Sequence, residues 1–391
     1  MSLLIEPSVA LQEPPSVLLN KFSQKIDYPC YTIIADGDWT IYEAASHTDT
    51  FGSSPARDAT LAWIRSGIKT DILGKQVFTH QLILSTGGDF TMAEERFLHH
   101  LPEDIKPAIT LVTNAGARLF YYDTQQLLKE DSYYTSHSID GGVCINSEIE
   151  KQFVHNAVDL LNIFFSYLKH SPQLQKEVQE APYGQWVQKF ADQYPENGFT
   201  LEEFQEQSRV MHGIYKSLEM CPRIEIREID RGQTVQISIV GMFSNLPALK
   251  EHVQFQKCLT KLAECPSVIL SQNLCVLEIS RTNKGTALHY LNINPEFSLG
   301  MGDSPEGNDK PLSEYIAQTA QGYLEKMPFI SVSDKPAIEA DRFYNVGHKV
   351  VGAKHFFESL IQEQNVHPKQ LFLETVQKAQ AQANQVFAQK S

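Results

Sequence analysis

The feature that most constrains the fold is an alternation of short apolar runs with segments of helical pattern. The run CYTIIAD ends abruptly at Asp36, QLILST (Gln81–Thr86) ends at a Gly-Gly pair, and AITLVT (Ala108–Thr113) is a third run. Short apolar runs bounded by turn residues are typical of buried strands, and strands that alternate with helices form parallel β-α-β units. The sequence therefore predicts an α/β fold with a parallel sheet, in which ligands bind beyond the carboxyl ends of the strands.

The middle of the chain follows a different pattern. Arg223–Ile229 and Thr234–Val240 alternate apolar and polar residues on either side of a short turn, which predicts an antiparallel hairpin. Residues 154–168 carry apolar side chains at the spacing of one helical face. After residue 266 the short apolar runs return as SVILS, CVLEIS and FSLGMG, and we expect all three to be strands of the first kind.

The 391 residues are enough for two domains, and the two patterns divide them. We expect an α/β catalytic core made of residues 26–114 and 268–391. Residues 115–267 would then be an inserted α+β domain of ordinary size. Residues 1–25 contain prolines and show no clear period, so we expect an N-terminal arm there.

The net charge of −14 argues against several classes of function. A general nucleic-acid binder needs a cationic face against the phosphates, and a polybasic membrane anchor needs one against lipid headgroups. No run reaches the ~18 apolar residues that span a bilayer, and the first residues lack the pattern of a signal peptide. The six cysteines form no C-x-x-C pair, so a thiolate zinc site is not expected. We expect a cytoplasmic protein with a small substrate, and the sequence leaves the oligomeric state open.

Two groups of candidate residues follow the first two strands. Asp36 and Asp38 are separated by one residue just past a buried strand, so one carboxylate can attack while the other transfers a proton. Ser85, Thr86 and Gly87 end the next strand, where hydroxyl and amide donors can hold a phosphoryl oxygen. In isolation, each group is better explained as an ordinary turn.

Two further groups lie near the carboxyl-terminal part of the chain. Lys284 begins a predicted helix, where its charge adds to the positive end of the helix dipole and favours an anion. The loop that holds Asp303, Asn308 and Asp309 follows an apolar strand and offers the oxygen ligands that Mg²⁺ prefers. A surface lysine and an acidic surface loop explain each group alone, so the signal lies in the order of all four groups.

In that order, the four groups resemble the motifs of the haloacid dehalogenase superfamily of aspartate-nucleophile phosphatases. The resemblance is carried by DGDWT, STGG, RTNKGTALHYL and GDSPEGND, each at a predicted strand end or helix start. The segments TNAGARLFYYD and VLEISRTNKGTALHYL resemble the two ends of the C2-type cap in the Cof-type and sucrose-phosphate-phosphatase branch. The last loop is similar to that of mannosyl-3-phosphoglycerate phosphatases.

The resemblance implies a Rossmann-like core and a role for each candidate residue. Asp36 would be the nucleophile and a Mg²⁺ ligand, and Asp38 would be the general acid and base, with its backbone carbonyl on the metal. Thr86 would bind a phosphoryl oxygen, Lys284 would neutralise charge on the nucleophile and phosphoryl group, and Asp303 would be the third protein ligand to the metal. Other residues would support the substrate or the metal: Ser85, Gly87, Asn308 and Asp309.

The implied activity is a Mg²⁺-dependent phosphomonoester hydrolase that acts through an aspartyl-phosphate, on a sugar phosphate or another small phosphometabolite. The sequence departs from the family pattern in three places: Trp39 replaces a glycine, Gly88 replaces an arginine, and the last loop is longer. These departures keep a catalytically silent binding protein of this fold open as one alternative. A phosphoprotein phosphatase is another, because the interior of the inserted domain is atypical and the N-terminal tail is unplaced. Nothing in the sequence asks for a phosphomutase.

The inserted domain is expected to close over Asp36 as a cap. Closure would exclude water during phosphoryl transfer, and opening would release the product. We therefore expect hinges at the two crossings between the parts, at Gly116 and within Ser280–Lys284.

Overall fold

The computed structural model describes most of the chain from residue 31 onwards. The described residues form two larger sheets, each with its own hydrophobic core, and two small hairpins. The predicted arm over residues 1–25 lies outside the described residues. These are 31–42, 54–71, 74–181, 184–206, 222–229, 232–265, 268–273, 276–319, 321–334 and 341–362, with 379 and 381.

The described strands are short. They are β1 (Tyr31–Asp36), β2 (Ile68–Thr70), β3 (Gln76–Phe78), β4 (His80–Ser85), β5 (Ile109–Thr113), β6 (Arg118–Tyr122), β7 (Leu128–Glu130), β8 (Arg223–Ile229), β9 (Gln233–Val240), β10 (Ile269–Asn273), β11 (Val276–Ser280), β12 (Ser298–Gly302), β13 (Ile316–Gln318), β14 (Leu324–Lys326), β15 (Phe329–Ser331) and β16 (Phe343–Asn345).

The described α-helices vary widely in length. They include Pro55–Ser66, Phe90–Arg96, Ser132–His137, Ser147–His170, Pro172–Glu180, Gly184–Asp192, Pro247–Lys250, Val253–Ala263, Thr286–Tyr290, Lys310–Ser313 and Lys349–Gln362. Within the described part of the chain, none of them combines the length and apolarity needed to cross a bilayer.

The larger sheet has the strand order β16-β15-β12-β1-β4-β5-β6-β7. Neighbours from β16 to β5 are parallel, and β6 and β7 add an antiparallel edge. Helices Pro55–Ser66 and Lys349–Gln362 cover one face of this sheet, and Thr286–Tyr290 packs on the other. Because strands covered on both faces need near-continuous apolar runs, the runs in the sequence identify them. The predicted α/β fold class, with a parallel sheet and a second α+β part, is confirmed.

The smaller sheet is antiparallel, with the order β10-β11-β9-β8. Helices Ser147–His170 and Val253–Ala263 pack against one of its faces. The hairpin predicted around residues 230–233 is confirmed as β8 and β9.

Two strands lie in a different sheet from the one that the sequence pattern indicates. SVILS and CVLEIS contribute β10 and β11 of the smaller sheet, so their interpretation as strands of the first kind is wrong. A short apolar run does not reveal whether its partners are parallel or antiparallel. Conversely, β6 and β7 extend the larger sheet, although they lie within residues 115–267. We therefore propose that the inserted part comprises residues 143–280, and we call it the cap and the remainder the core.

The chain crosses between core and cap at two neighbouring places. The guanidinium of Arg281 donates to the backbone oxygens of Asp140, at 2.6 Å, and Gly141, at 2.8 Å. Gly116 also packs against the second crossing. A Cβ atom added to it would lie 2.0 Å from the backbone oxygen of Asn283. The two segments predicted as hinges therefore touch each other, and their role as hinges stays a prediction.

Candidate active site

The edge of the larger sheet gathers the predicted catalytic residues. Asp36 is the last residue of β1, which lies between β4 and β12 in parallel register, with Asp36 opposite Ser85. Asp303 directly follows the last residue of β12. Because carboxyl ends of parallel strands meet at one edge of a sheet, residues from distant parts of the sequence converge here.

Lys284 bridges two carboxylates at this edge. Its Nζ lies 2.5 Å from Oδ1 of Asp36 and 2.6 Å from Oδ1 of Asp309. All three side chains are almost fully buried, with Lys284 only 2% exposed. Burial favours the neutral amine, but the charges of Asp309 and Asp36 outweigh it and raise the pKa of Lys284 above its ordinary value. The ammonium is therefore a fixed positive charge beside Asp36.

Asp309 is held in place by the backbone of its own loop. Its Oδ2 accepts a hydrogen bond of 2.9 Å from the amide of Ser304. A Cβ at residue 302 would lie 2.2 Å from the same oxygen, so Gly302 leaves the room that this carboxylate occupies. Asp309 is thus an integral part of the site and not merely a residue of an acidic surface loop.

Carboxylate oxygens of Asp36, Asp303 and Asp309 all lie within 4.8 Å of one another. Burial, then the charge of Asp309, raise the pKa of Asp36 well above its usual range, although Lys284 opposes them. Burial and the charge of Asp309 likewise raise the pKa of Asp303 to about 7. Three carboxylates against a single ammonium form an excess of negative charge, and their hard oxygen donors fit Mg²⁺.

The carboxylate of Asp38 forms an ion pair with an arginine on a neighbouring helix. Its Oδ1 lies 2.6 Å from Nη1 of Arg96, at the end of helix Phe90–Arg96. The Asp38 side chain is 31% exposed, whereas that of Arg96 is 8% exposed. Asp38 is therefore the more accessible of the two carboxylates in the Asp-Gly-Asp segment.

The loop after β4 places several donors and hydroxyls beside Asp36. Thr86 is 1% exposed, and its Oγ1 accepts a hydrogen bond of 3.0 Å from the amide of Gly88. The Oγ atom of Ser85 is buried and has no hydrogen-bond partner among the described residues. The backbone oxygen of Gly87 accepts a hydrogen bond of 2.7 Å from Arg227 of the cap. The cap therefore touches the core directly at the predicted phosphoryl-binding loop.

The remaining predicted site residue is Asn308. Its Oδ1 is buried without a hydrogen-bond partner among the described residues. It lines a cavity of about 550 Å³ between core and cap, together with Gly87, Lys284 and Glu278. The structure thus brings together Asp36, Lys284, Asp303 and Asp309 and places Thr86, Gly87 and Asn308 around them.

Three residues near the site carry no signal in the sequence. Arg96 is 58 positions from Asp38, and Arg227 is 140 positions from Gly87. Tyr42 is buried against Gly37, where a Cβ would lie 2.2 Å from its hydroxyl. Burial, then the charge of Asp38, raise the pKa of Tyr42. Only the fold brings Arg96 and Arg227 to the site, whereas Tyr42 follows Asp38 by four residues but belongs to no motif that marks it.

Comparisons with known proteins give structural neighbours but no sequence relatives. No family model and no curated protein matches the chain. One similar solved structure is the ATP-bound IMP-nucleotidase of Plasmodium falciparum, with 12% identity, a TM-score of 0.39, and coverage of 90% of this chain and 65% of that chain. Another is the trehalose-6-phosphate phosphatase of Aspergillus fumigatus, with 13% identity, a TM-score of 0.37, and coverage of 91% and 99%. A third is BT1666 from Bacteroides thetaiotaomicron, in a study of haloalkanoate (HAD) superfamily phosphatases, with 14% identity, a TM-score of 0.42, and coverage of 87% and 97%.

The chain spans slightly less than two thirds of the length of the IMP-nucleotidase chains, 65% in the ATP-bound structure. At such low identities and TM-scores, the likeness transfers no activity, substrate or residue role. The function of this chain must therefore be argued from its own site.

Proposed function

We propose that this protein is a Mg²⁺-dependent phosphomonoester hydrolase of the haloacid dehalogenase type, which acts through a phosphorylated Asp36. The observation that carries the proposal is the buried arrangement in which Lys284 contacts both Asp36 and Asp309, with Asp303 beside them. A carboxylate at a sheet edge, next to a fixed cation and further carboxylates, can attack phosphorus while the charge of the phosphoryl group is neutralised.

The first half of the reaction transfers the phosphoryl group to the protein. A carboxylate oxygen of Asp36 forms a bond to phosphorus as the bond to the leaving oxygen breaks, and Asp38 gives its proton to that oxygen. Lys284 and the amides after Thr86 offset the charge on the phosphoryl oxygens. Asp36, Asp303 and Asp309 would hold the Mg²⁺, which supplies further charge neutralisation when bound.

The second half regenerates the free carboxylate. Asp38, now ionised, takes a proton from a water molecule as its oxygen attacks phosphorus, and the bond between phosphorus and Asp36 breaks. Arg96 holds the Asp38 carboxylate in a defined position through both steps. The accessibility of Asp38 suits a group that must exchange protons with a leaving group and with water.

The size of the neighbouring cavity supports a small substrate. Its volume of about 550 Å³ lies within the range of ~300–1,000 Å³ usual for sites that bind small molecules. A small phosphorylated metabolite is therefore favoured over a phosphoprotein.

Turnover of p-nitrophenyl phosphate tests the proposal. We expect hydrolysis that needs Mg²⁺, is lost with a chelator and is lost in Asp36→Asn. Brief reaction with a ³²P-labelled substrate should leave an acid-stable label that hydroxylamine removes, in the wild type only. The exposed Asp192, on the cap helix Gly184–Asp192, gives the control variant Asp192→Asn. Full activity in Asp36→Asn would exclude Asp36 as the nucleophile.

A catalytically silent binding protein is the competing proposal. The observation in its favour is Trp39, which adopts a φ of 60° within the Asp36 loop and has the Lys349 ammonium 4.5 Å from its ring centre. A bulky residue in this conformation is strained and stands where the family has glycine. Absence of Mg²⁺-dependent turnover across a broad set of phosphoesters would favour this alternative.

A further inference from the structure

The smaller sheet has one apolar and one polar face. Ile224, Ile237, Ile239, Leu277 and Ile279 belong to the hydrophobic core beneath the cap helices. Because side chains alternate along a strand, the residues between them face the opposite way.

Four polar residues form a row across that opposite face. The strand register pairs Glu225 with Ser238, Ser238 with Glu278, and Glu278 with Ser271. Ser238 is fully buried, and its Oγ has no hydrogen-bond partner among the described residues. Burying a polar group costs free energy unless the group is hydrogen-bonded.

This polar face packs against the core at the loop after β4, which is the proposed phosphoryl-binding loop. Arg227, on the same face, donates to the backbone oxygen of Gly87 at 2.7 Å. A Cβ on Gly87 would lie 3.9 Å from Oε2 of Glu278. Burial raises the pKa of Glu278, and the nearby charges of Arg227 and Lys284 oppose that shift. Glu278 therefore lies beside the loop and the lysine that would hold the phosphoryl group.

Residues that carry hydrogen-bond acceptors line the cavity between core and cap. Glu278 and Asn308 line it, and Asn308 Oδ1 is buried without a donor among the described residues. Ser271 also lines it, with its hydroxyl 3.5 Å from Glu278 Oε2. A ligand that fills this space must bring donors, since an unpaired buried acceptor costs about 1–3 kcal/mol.

The cations around the cavity already have partners. Lys284 contacts Asp36 and Asp309, and Lys310 lies 3.6 Å from Glu314. Arg227 contacts Gly87 and Glu225. A second anionic group beside Glu278 would therefore meet a carboxylate, and a cation could reach it only by leaving its present partner, which costs little for the exposed Lys310.

None of the described residues that line the cavity carries an aromatic ring. Proteins commonly hold exposed bases by stacking them on aromatic side chains, so this lining is poorly suited to a nucleobase.

We propose that Glu278 determines specificity by accepting hydrogen bonds from hydroxyl or ammonium groups of the leaving group and by rejecting leaving groups that carry a second anion. This inference rests on the proposed function and names the class of substrate for the same site. The favoured substrate is a phosphomonoester of a polyhydroxylated, uncharged or amine-bearing compound.

Two matched pairs of phosphoesters test the inference. Glucitol 6-phosphate and 6-phosphogluconate differ only in a hydroxymethyl group against a carboxylate, and glucose 6-phosphate and glucosamine 6-phosphate differ in a hydroxyl against an amine. We expect kcat/KM for glucitol 6-phosphate to exceed that for 6-phosphogluconate by at least about tenfold. Glucosamine 6-phosphate should be hydrolysed at least as efficiently as glucose 6-phosphate.

The variant Glu278→Gln tests the negative charge of the Glu278 side chain by removing it. It keeps the size and a hydrogen-bonding group, so the preference for glucitol 6-phosphate over 6-phosphogluconate should fall towards one. Glu264→Gln, at an exposed position after helix Val253–Ala263, should keep the wild-type preference. Equal efficiency on the first pair in the wild type, or an unchanged preference in Glu278→Gln, would overturn the inference.

Two further measurements separate this inference from the proposed function. p-Nitrophenyl phosphate hydrolysis reports on the catalytic residues alone, so a wild-type protein that hydrolyses it but shows no preference between glucitol 6-phosphate and 6-phosphogluconate contradicts only the inference about Glu278. Calorimetric binding of glucitol 6-phosphate and 6-phosphogluconate to Asp36→Asn, in Mg²⁺, measures the same discrimination without turnover. Equal affinities there would overturn the inference even if no substrate were hydrolysed.

Discussion

The guanidinium of Arg96 and the carboxylate of Asp38 form an ion pair, with Nη1 and Oδ1 2.6 Å apart. Arg96 ends the helix that follows the loop after β4, and its side chain is nearly buried. A carboxylate that transfers protons, as proposed for Asp38, would gain a defined position from such a partner. We therefore propose that Arg96 is a positioning residue for Asp38.

Replacing Arg96 should slow the reaction most where the leaving group needs a proton. In Arg96→Met we expect kcat/KM on an alkyl phosphate to fall about 10–100-fold, a fraction of the ~10²–10⁴-fold that general acid–base catalysis supplies. p-Nitrophenolate leaves without protonation, so kcat/KM on p-nitrophenyl phosphate, which reports on the first half of the reaction, should fall much less. Arg65→Met removes an exposed pair with Asp104 and serves as the control. Equal losses on both substrates would contradict this role.

Lys284 should matter for stability as well as for rate. Lys284→Met leaves Asp36 and Asp309 buried without their cation, and breaking a buried ion pair in this way costs about 3–5 kcal/mol. Urea unfolding in the presence of a chelator should show this loss in the free energy of unfolding. The double variant Lys284→Met/Asp309→Asn should regain part of that free energy. The exposed Lys310 provides Lys310→Met, whose free energy of unfolding should change by less than about 0.5 kcal/mol. A Lys284→Met protein as stable as the wild type would show that the carboxylates do not depend on the ammonium.

The stability of the metal-free protein should depend on pH through Asp303. Its pKa in the folded protein is raised to about 7, whereas the pKa of an aspartate in an unfolded chain is about 3.9. The folded state therefore holds the extra proton between these values, and its contribution to stability is complete below about pH 4 and is lost as pH rises through about 7. The free energy of unfolding in a chelator should fall over this range, and less steeply in Asp303→Asn. An identical slope in the variant would mean that another group titrates.

Arg281 should keep the two crossings together. In Arg281→Met the hydrogen bonds to the backbone oxygens of Asp140 and Gly141 are lost, so the segment around Gly141 should open more often. We expect faster limited proteolysis near residues 137–143, with the unfolding of the core unchanged. Lys250→Met, at an exposed cap position, is the control. Cleavage at the wild-type rate would mean that other contacts hold the crossings.

The sequence predicted the parts of the fold and site that depend on local pattern. The apolar run that ends at Asp36 and the one before Asp303 identified two adjacent strands of the larger sheet, because strands buried on both faces leave a plain signature. The same signature was ambiguous for β10 and β11, which the sequence also presents within short apolar runs but which pair in the smaller sheet. Strand partners depend on tertiary packing, which a run of a few residues does not encode.

The local sequence pattern could not identify the residues that contact the site from other elements, for a related reason. Arg96 and Arg227 have charged side chains on ordinary elements, and only the folded chain shows that they contact Asp38 and Gly87. The importance of Asp309 was only partly visible, since an acidic loop does not reveal which carboxylate is fully buried.

The position of β1 has a consequence for the order in which the chain acquires structure during synthesis. Thr32 pairs with Ser298, so one edge of β1 is completed only by a strand that leaves the ribosome after the whole cap. The cap sheet needs nothing beyond residue 280 and can pair while that edge is still open. An exposed edge strand is prone to wrong pairings, and translation adds only about 5–20 residues per second. A nascent chain stalled before residue 298 would therefore carry a formed cap above an unfinished core, with neither Asp303 nor Asp309 yet made.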